Sequence, residues 1–153
     1  MNKYKMWLSG LSMLLIVLLM LLGAIMAVRR LNKRPMTSLY VRLSKYRKLA
    51  PYLEAQARHE TNNYRSEVYR RANNLFGMKD AYKRPRLGVD VAGDPYRHYK
   101  SDSESIRDML LWLSYNKAPV SFPDSNSYAV FLKNKGYFED SLKNYQKGML
   151  VWY

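Results

Sequence analysis

Glu60 is the side chain of this 153-residue protein whose setting best suits acid chemistry. It follows Leu53 and Ala57 at the spacing that puts side chains on one face of a helix. A helix is predicted over 51–60, with Pro51 in its first turn. A carboxyl group beside apolar side chains has a raised pKa, so it can deliver a proton near neutral pH. On spacing alone, however, a solvated carboxylate at a helix end is the commoner case.

The chain offers few residues for a metal or a cofactor. It has no cysteine and two histidines, His59 and His98. A zinc-protease motif has its second histidine four residues after the first, but Asn63 occupies that position here. A glycine-rich phosphate loop and a Ser-His-Asp arrangement are not evident either. We therefore expect neither a metal site nor a cofactor.

The elements that must position Glu60 are mainly helices. Caps and helical spacing predict helices that start after Thr37 or Ser38, at Pro51, after Ser66, after Ser101, at Asp124 or Ser125, and near Glu139. Gly136 is expected to stop the fifth of these helices. The helical period is lost over 80–94, where Leu87, Val89 and Val91 alternate instead. That stretch predicts a short irregular β-hairpin.

A long apolar run precedes these elements. Residues 6–28 contain no charged side chain, and as a helix they would measure about 34 Å, enough for a hydrocarbon core of about 30 Å. The apolar core of a cleaved signal is usually only about 7–15 residues long, so an uncleaved anchor is the prediction. The expected organisation is a tail over 1–5, a transmembrane helix over 6–28, a basic linker over 29–36 and one domain over 37–153.

The protein is strongly basic, with 26 Lys and Arg against 12 Asp and Glu and a net charge of +14. Such a balance draws a protein to nucleic acid, lipid headgroups or an acidic wall polymer. Up to Arg58 the only acidic residue is Glu54, so the basic excess lies beside the apolar run, where lipid headgroups account for it. The chain carries no basic–aromatic nucleic-acid motif, and nucleic acid is not expected as a partner.

Four segments, taken in order, resemble a known family. They read Ala-Gln-Ala-Arg-His-Glu-Thr at 55–61, Asn-Asn-Leu-Phe-Gly-Met-Lys at 73–79, Tyr-Arg-His-Tyr-Lys-Ser at 96–101 with Glu-Ser-Ile-Arg-Asp at 104–108, and Tyr-Ala, Gly-Tyr and Asn-Tyr between 128 and 145. Together they resemble the bacterial endo-N-acetylglucosaminidases of autolysins and of the flagellar wall-cutting enzyme, glycoside hydrolase family 73. The likeness covers roughly residues 49–150. One such motif would be weak, but four in order are strong.

The resemblance implies a lysozyme-like domain of the α+β class, mainly helical, with a small β-hairpin lobe and, in this chain, one preceding transmembrane helix. The implied activity is bacteriolytic hydrolysis of peptidoglycan at the β-1,4 bond after N-acetylglucosamine, with Glu60 as general acid. The catalytic residues expected on this basis are Glu60 and Tyr145, with Asp90 added from its position in the chain, and the expected substrate-binding residues are Asn74, Leu75, Phe76, Tyr99 and Tyr128. Tyrosine also packs routinely in cores, so a structural role stays open for Tyr128 and Tyr145.

The second catalytic group is less well defined than Glu60. Asp80, Asp90 and Asp94 lie in the irregular stretch, where aspartates mostly cap turns. Asp90 is preferred because it stands among the alternating residues, although the N-acetyl group of the substrate could serve instead. The chain also departs from the family pattern. Asn-Asn-Tyr at 62–64 replaces Gly-Trp-Gly, and Phe-Glu-Asp-Ser at 138–141 replaces Ala-Thr-Asp-Pro, which affects fine substrate contacts rather than the fold.

Two alternatives stay open: a lytic transglycosylase or muramidase acting on the same polymer, and a non-catalytic wall-binding or assembly protein with the same fold. The expected partners are peptidoglycan glycan strands and, through a single-pass anchor, the membrane. A wall hydrolase must meet its substrate, so we expect the domain on the periplasmic or extracellular side. The four basic residues directly after the apolar run argue weakly for the opposite orientation. Secretion after signal cleavage is the alternative.

Overall fold

Helices dominate the part of the chain that this computed structural model describes, namely residues 13, 15–23, 39–80 and 83–153. The chain divides into two units, Met1–Arg34 and Pro35–Tyr153. The described residues of the second unit form α1 (Leu39–Leu43), a 3-10 helix (Arg47–Leu49), α2 (Ala50–Glu60), α3 (Glu67–Ala72), α4 (Asp102–Tyr115), α5 (Ser125–Asn134) and α6 (Leu142–Leu150).

Side-chain caps define where four of these helices start. The capping residues are Ser66, Ser101, Asp124 and Ser141, and each accepts a hydrogen bond from the backbone N–H three residues further on. Past the end of α5, Gly136 takes a positive φ of 67°, which glycine adopts without strain. The caps predicted at Ser66, Ser101 and Asp124 and the stop at Gly136 are confirmed. The last helix begins at Leu142 rather than near Glu139.

The core anchors α2, the helix that ends at Glu60. α2 packs against α6, α6 packs against α5, and α1 packs against α4. The fully buried apolar side chains include Leu53 and Ala57 of α2, Met109 and Leu113 of α4, and Leu132 of α5. Burying a large apolar side chain stabilises the fold by roughly 1.5–3 kcal/mol. The end of α2 is therefore held in a fixed place.

The prediction of a β-hairpin lobe is wrong. Between α3 and α4, the described residues form no strand and only two isolated antiparallel bridges, Lys79 with Tyr96 and Val89 with His98. The fold class is accordingly mainly helical rather than α+β.

Arg97 explains why a β-ladder does not form there. Its buried guanidinium donates to the backbone carbonyls of Leu87 (2.7 Å) and Gly88 (2.6 Å). A side chain thus satisfies carbonyls that a neighbouring strand would otherwise take. Asp108 of α4 accepts from the guanidinium of Arg84 (2.9 Å) and from the N–H of Leu87 (2.8 Å). These contacts fix the irregular lobe against α4; this name is used below for the described residues 78–80 and 83–99, between α3 and α4.

The transmembrane helix predicted over 6–28 is not supported. Of that range the structure describes residues 13 and 15–23, which are helical and exposed. The rest of it lies outside the described residues, as do the predicted tail over 1–5 and linker over 29–36. None of the described helices is both long and apolar enough to cross a membrane.

Candidate active site

Glu60 ends α2 because the residues after it turn the chain sharply. The hydroxyl of Thr61 donates to a carbonyl one helical turn back (2.6 Å) and accepts from the N–H of Tyr64 (2.8 Å). Asn62, Asn63 and Tyr64 have positive φ angles of 47°, 55° and 63°. Asparagine tolerates this left-handed conformation better than most residues. The predicted helix end after Glu60 is confirmed, and the turn leaves the Glu60 side chain facing a cleft.

The cleft beside Glu60 has a volume of ≈ 770 Å³. Its lining residues come from the loop after α3, from the C-terminal end of α4 and from the segment between α5 and α6. Phe76, Trp112 and Phe138 give it apolar walls, and Lys79 and Asp80 add charged groups. A cleft of this size that combines aromatic walls with charged and polar groups is suited to binding a ligand.

The two oxygens of the Glu60 carboxyl group have different surroundings. The hydroxyl of Tyr145 donates to Oε1 at 2.6 Å. Oε2 faces Gly77, where the first side-chain atom of any other residue would lie 3.2 Å away. Burial raises the pKa of Glu60 to about 7, although the hydrogen bond from Tyr145 lowers it in part. At neutral pH, Glu60 is therefore protonated in a substantial fraction of the molecules, as a general acid requires.

Tyr145 is held as a hydrogen-bond donor. Phe138 stacks parallel on its ring, with centroids 3.7 Å apart and an angle of 4° between the planes. Burial first, and then the negative charge of Glu60, raise the pKa of Tyr145 well above 10. Its hydroxyl therefore keeps its proton. Glu60 and Tyr145, which the sequence proposed as catalytic, are thus in direct contact.

The loop after α3 is held rigidly against Glu60. The side-chain amide of Asn74 donates to the carbonyls of Met78 (2.8 Å) and Arg97 (3.0 Å), and its oxygen accepts from the N–H of Met78 (2.9 Å). Gly77 has a positive φ of 59°, a conformation that residues with a side chain rarely adopt. The Asn-Asn-Leu-Phe-Gly sequence therefore builds a closed loop whose backbone approaches the carboxyl group.

The five proposed substrate-binding residues divide by position. Asn74 and Phe76 line the cleft, whereas Leu75, Tyr99 and Tyr128 are buried and are not among its lining residues. Tyr128 donates to Oε1 of Gln56 (2.6 Å), and Tyr99 donates to Asp108 (2.9 Å). In these positions the two tyrosines support the walls of the site from behind.

The three candidate aspartates also differ in position. Asp80 lines the cleft. Asp90 has a side chain that is 55 % exposed and pairs with Arg97 at 2.6 Å. Asp94 is bonded to His98 at 2.6 Å, and this hydrogen bond is the main cause that lowers the pKa of Asp94 to about 2. Of the three, Asp80 is the one that borders the cleft, and the role given to Asp90 stays a prediction.

Tyr137 belongs to the site, although sequence reasoning gave it no role. It lines the cleft, its hydroxyl donates to the backbone carbonyl of Phe76, and its ring meets Trp112 edge-on at 5.1 Å. It therefore fixes the loop that carries Gly77. The available signal was an aromatic residue directly after the helix-stopping Gly136. Its partner lies 61 positions earlier in the chain, so spacing could not identify it.

The site as described can bind a ligand in an open cleft and transfer a proton to it. Over residues 13, 15–23, 39–80 and 83–153, no group of three or more His, Asp or Glu side chains is placed to hold a metal ion.

The chain matches the Glucosaminidase family, described as mannosyl-glycoprotein endo-beta-N-acetylglucosaminidase, over residues 38–150. The match covers most of the chain, and the protein belongs to this family. The family inferred from the four sequence segments is thereby confirmed, and the matched region is a domain of the glycoside hydrolase type, related to enzymes that act on peptidoglycan. No curated protein and no solved structure matches the chain.

Proposed function

We propose that this protein is a peptidoglycan hydrolase that cleaves the β-1,4 bond after N-acetylglucosamine, with Glu60 as the general acid. The observation that carries the proposal is the setting of Glu60. Burial raises its pKa to about 7, it faces a cleft of ≈ 770 Å³, and Tyr145 donates to it. Membership of the glucosaminidase family supports the choice of bond.

The proposed reaction begins with a proton transfer. Because Tyr145 donates to Oε1, the proton of the neutral acid resides on Oε2, on the side where Gly77 leaves space. Glu60 gives this proton to the glycosidic oxygen as the bond from that oxygen to the anomeric carbon breaks. The sugar on the far side leaves with a new hydroxyl group. Water finally adds to the anomeric carbon and gives one proton back to the Glu60 carboxylate, so that this carbon becomes a reducing N-acetylglucosamine end and the acid is restored.

The positive charge that develops at the anomeric carbon needs a second group. Asp90 is our proposal from the sequence, and Asp80 is a second candidate because it borders the cleft. Both aspartates pair with Arg97, at 2.6 Å and 3.2 Å respectively. The acetamido oxygen of the substrate is the third candidate and would need no second carboxylate. Variants of the two aspartates distinguish these possibilities.

The experiment that tests the proposed function is a digest of purified peptidoglycan, reduced with borohydride and analysed by mass spectrometry. A glucosaminidase releases fragments that end in reduced N-acetylglucosamine. Fragments that end in reduced N-acetylmuramic acid would identify a muramidase instead, and 1,6-anhydro ends would identify a lytic transglycosylase. Binding to the polymer with no new ends of any kind would identify a non-catalytic wall-binding protein.

A further inference from the structure

His59 stands directly before Glu60 and contacts the tyrosine that holds it. The His59 ring meets the Tyr145 ring edge-on, with centroids 4.8 Å apart and 88° between the planes. Phe138 covers Tyr145 in a parallel stack at 3.7 Å. Tyr145 is thus held by one ring from α2 and by a second ring from the segment before α6. Edge-to-face and stacked arrangements both restrict the orientation of an aromatic ring.

The contact between His59 and α6 depends on Gly148. A Cβ atom at position 148 would lie 2.2 Å from Cε1 and 2.5 Å from Nδ1 of His59, closer than atoms can approach. Gly148 is one turn beyond Tyr145 on α6, so both residues face His59. In a helix interior, glycine costs about 1 kcal/mol relative to alanine. The space that Gly148 leaves is therefore the space in which the imidazole lies.

We propose that His59 is a positioning residue: its ring, lying against Gly148, fixes the orientation of Tyr145 and so holds the Tyr145 hydroxyl on the carboxyl group of Glu60. This inference rests on the proposed role of Glu60 as general acid. His59 makes no part of the bond cleavage itself. Its effect reaches the reaction through the 2.6 Å hydrogen bond from Tyr145 to Oε1.

The protonation states of His59, Glu60 and the tyrosines around them determine what a pH profile can report. Tyr145 of α6 lowers the pKa of Glu60 through its hydrogen bond. In turn, burial and the negative charge of Glu60 raise the pKa of Tyr145, of Tyr128 in α5 and of Tyr137 between these helices. Burial lowers the pKa of His59, and the negative charge of Asp140 opposes this in part, so the ring is neutral near pH 7. The tyrosines are neutral there as well. The group that titrates near pH 7 in this cluster is therefore Glu60.

The test is a double-mutant cycle of His59→Ala and Tyr145→Phe. His98→Ala is the matched control, since His98 pairs with Asp94 away from the cleft.

Because the Tyr145 hydrogen bond lowers the pKa of Glu60, losing it raises that pKa. The alkaline limb of the kcat profile should then move up by about one pH unit in Tyr145→Phe and in His59→Ala alike. We expect kcat of His59→Ala to fall about tenfold with KM little changed. The double variant should lose no more than Tyr145→Phe alone.

A different set of results would contradict the positioning role of His59. If the two losses multiply in the double variant and His59→Ala leaves the alkaline limb unmoved, His59 only fills space and the inference is wrong. His98→Ala should change neither kcat nor the limb. Should His59→Ala fail to fold, Gly148→Ala takes its place, because it displaces the ring without removing it. Lys147→Ala, an exposed neighbour on α6, is the control for that variant.

The inference can also be judged if the proposed function fails. Were the wild-type protein inactive on peptidoglycan, a ¹³C NMR titration of the Glu60 carboxyl, assigned with Glu60→Gln, would still report the coupling. A Glu60 pKa that rises in both single variants, with no further rise in the double variant, would support the positioning role. A Glu60 pKa that rises in Tyr145→Phe but not in His59→Ala would overturn it.

Discussion

Glu60 owes its acidity to two opposing influences that come from different parts of the chain. Burial at the end of α2 raises its pKa to about 7, and the hydrogen bond from Tyr145 keeps the pKa from rising further. The first influence stabilises the proton on the carboxyl group, whereas the second keeps that proton transferable. A general acid works best when its pKa lies near the pH at which it operates. The chemistry therefore depends on contacts of a few side chains.

Replacing Glu60 by Gln should abolish hydrolysis and leave the fold intact. Gln keeps the shape of Glu but cannot give up a proton, and losing a general acid costs roughly 10²–10⁴-fold in rate. Because the folded protein disfavours the ionised carboxylate, we also expect Glu60→Gln to melt at a higher temperature than the wild type at pH 8. Reducing-end assays and thermal melts measure both effects. Glu67→Gln, which removes an exposed carboxylate, is the control, and wild-type turnover by Glu60→Gln would refute the assignment.

The wild-type enzyme should lose activity as the pH rises through about 7. The reacting form of Glu60 is the protonated one, and its pKa is raised from 4.5 to about 7. Well above that pH, kcat should fall about tenfold per pH unit, since the protonated fraction does so. The measurement is a pH profile of kcat on solubilised glycan strands. A constant rate from pH 6 to pH 9 would contradict a role for Glu60 as the proton donor.

The two candidate aspartates should respond differently to removal of their charge. Asp80 borders the cleft, whereas the Asp90 side chain is 55 % exposed beside Arg97. If the carboxylate that borders the cleft assists, Asp80→Asn should lower kcat more than Asp90→Asn. A larger loss in Asp90→Asn would instead support Asp90, the choice made from the sequence. The measurement is kcat on the same glycan strands, with Asp94→Asn as the control for a lost ion pair. Equal, mild losses in all three variants would point to the acetamido group of the substrate.

For the helices and the irregular lobe, the sequence predicted features that depend on neighbouring residues. It did not predict features that depend on residues far apart in the chain. Caps such as Ser101 act on an N–H three residues away, and periodicity acts within a turn, so helix starts follow from short stretches of sequence. The irregular lobe is different. Arg97 reaches carbonyls nine and ten positions away, and Asp108 reaches the N–H of Leu87 across 21 positions. Alternation of apolar residues suggested a hairpin, but these side chains replaced the ladder.

Arg97→Lys should destabilise the irregular lobe. The guanidinium of Arg97 donates to two carbonyls and pairs with Asp80 and Asp90 while its side chain is only 3 % exposed. An ammonium group cannot make this set of bonds, and losing a hydrogen bond to a charged donor costs about 1.5–3 kcal/mol. Urea unfolding should show the loss as a lower midpoint. Arg86→Lys, at 32 % exposure, should cost less than about 1 kcal/mol. Equal losses for both variants would mean that the lobe does not depend on Arg97.

The site shows the same division between near and distant signals. Glu60, Asn74 and Phe76 were identified from motifs that stay within a few residues, and all three border the cleft. Tyr145 lies 85 positions from Glu60 and was proposed only through the family resemblance. No spacing rule predicts that contact, because it requires α2 and α6 to pack side by side. Tyr137 was missed for the same reason.

For the molecule as a whole, the sequence predicted a membrane span that the described structure does not support. The net charge of +14 favours attraction to anionic partners, among which lipid headgroups and an acidic wall polymer both remain. The uncharged stretch over 6–28 suggested a membrane span, yet none of the helices among residues 15–23, 39–80 and 83–153 has the length and apolarity to cross a membrane.

The remaining prediction is the compartment in which the domain works. We propose that residues 38–150 act on the periplasmic or extracellular side, because a glycan-cutting domain has its polymer there and would find none in the cytoplasm. Fusions after Tyr153 decide between the two sides. Alkaline phosphatase should be active in such a fusion, and a fluorescent protein that matures only in the cytoplasm should stay dark. The inverse pattern would mean that the protein is held inside until lysis or that its substrate is not the wall. The Glu60→Gln fusion is the suitable form for this measurement, since it removes the lytic activity proposed for the wild type while keeping the charge pattern nearly unchanged.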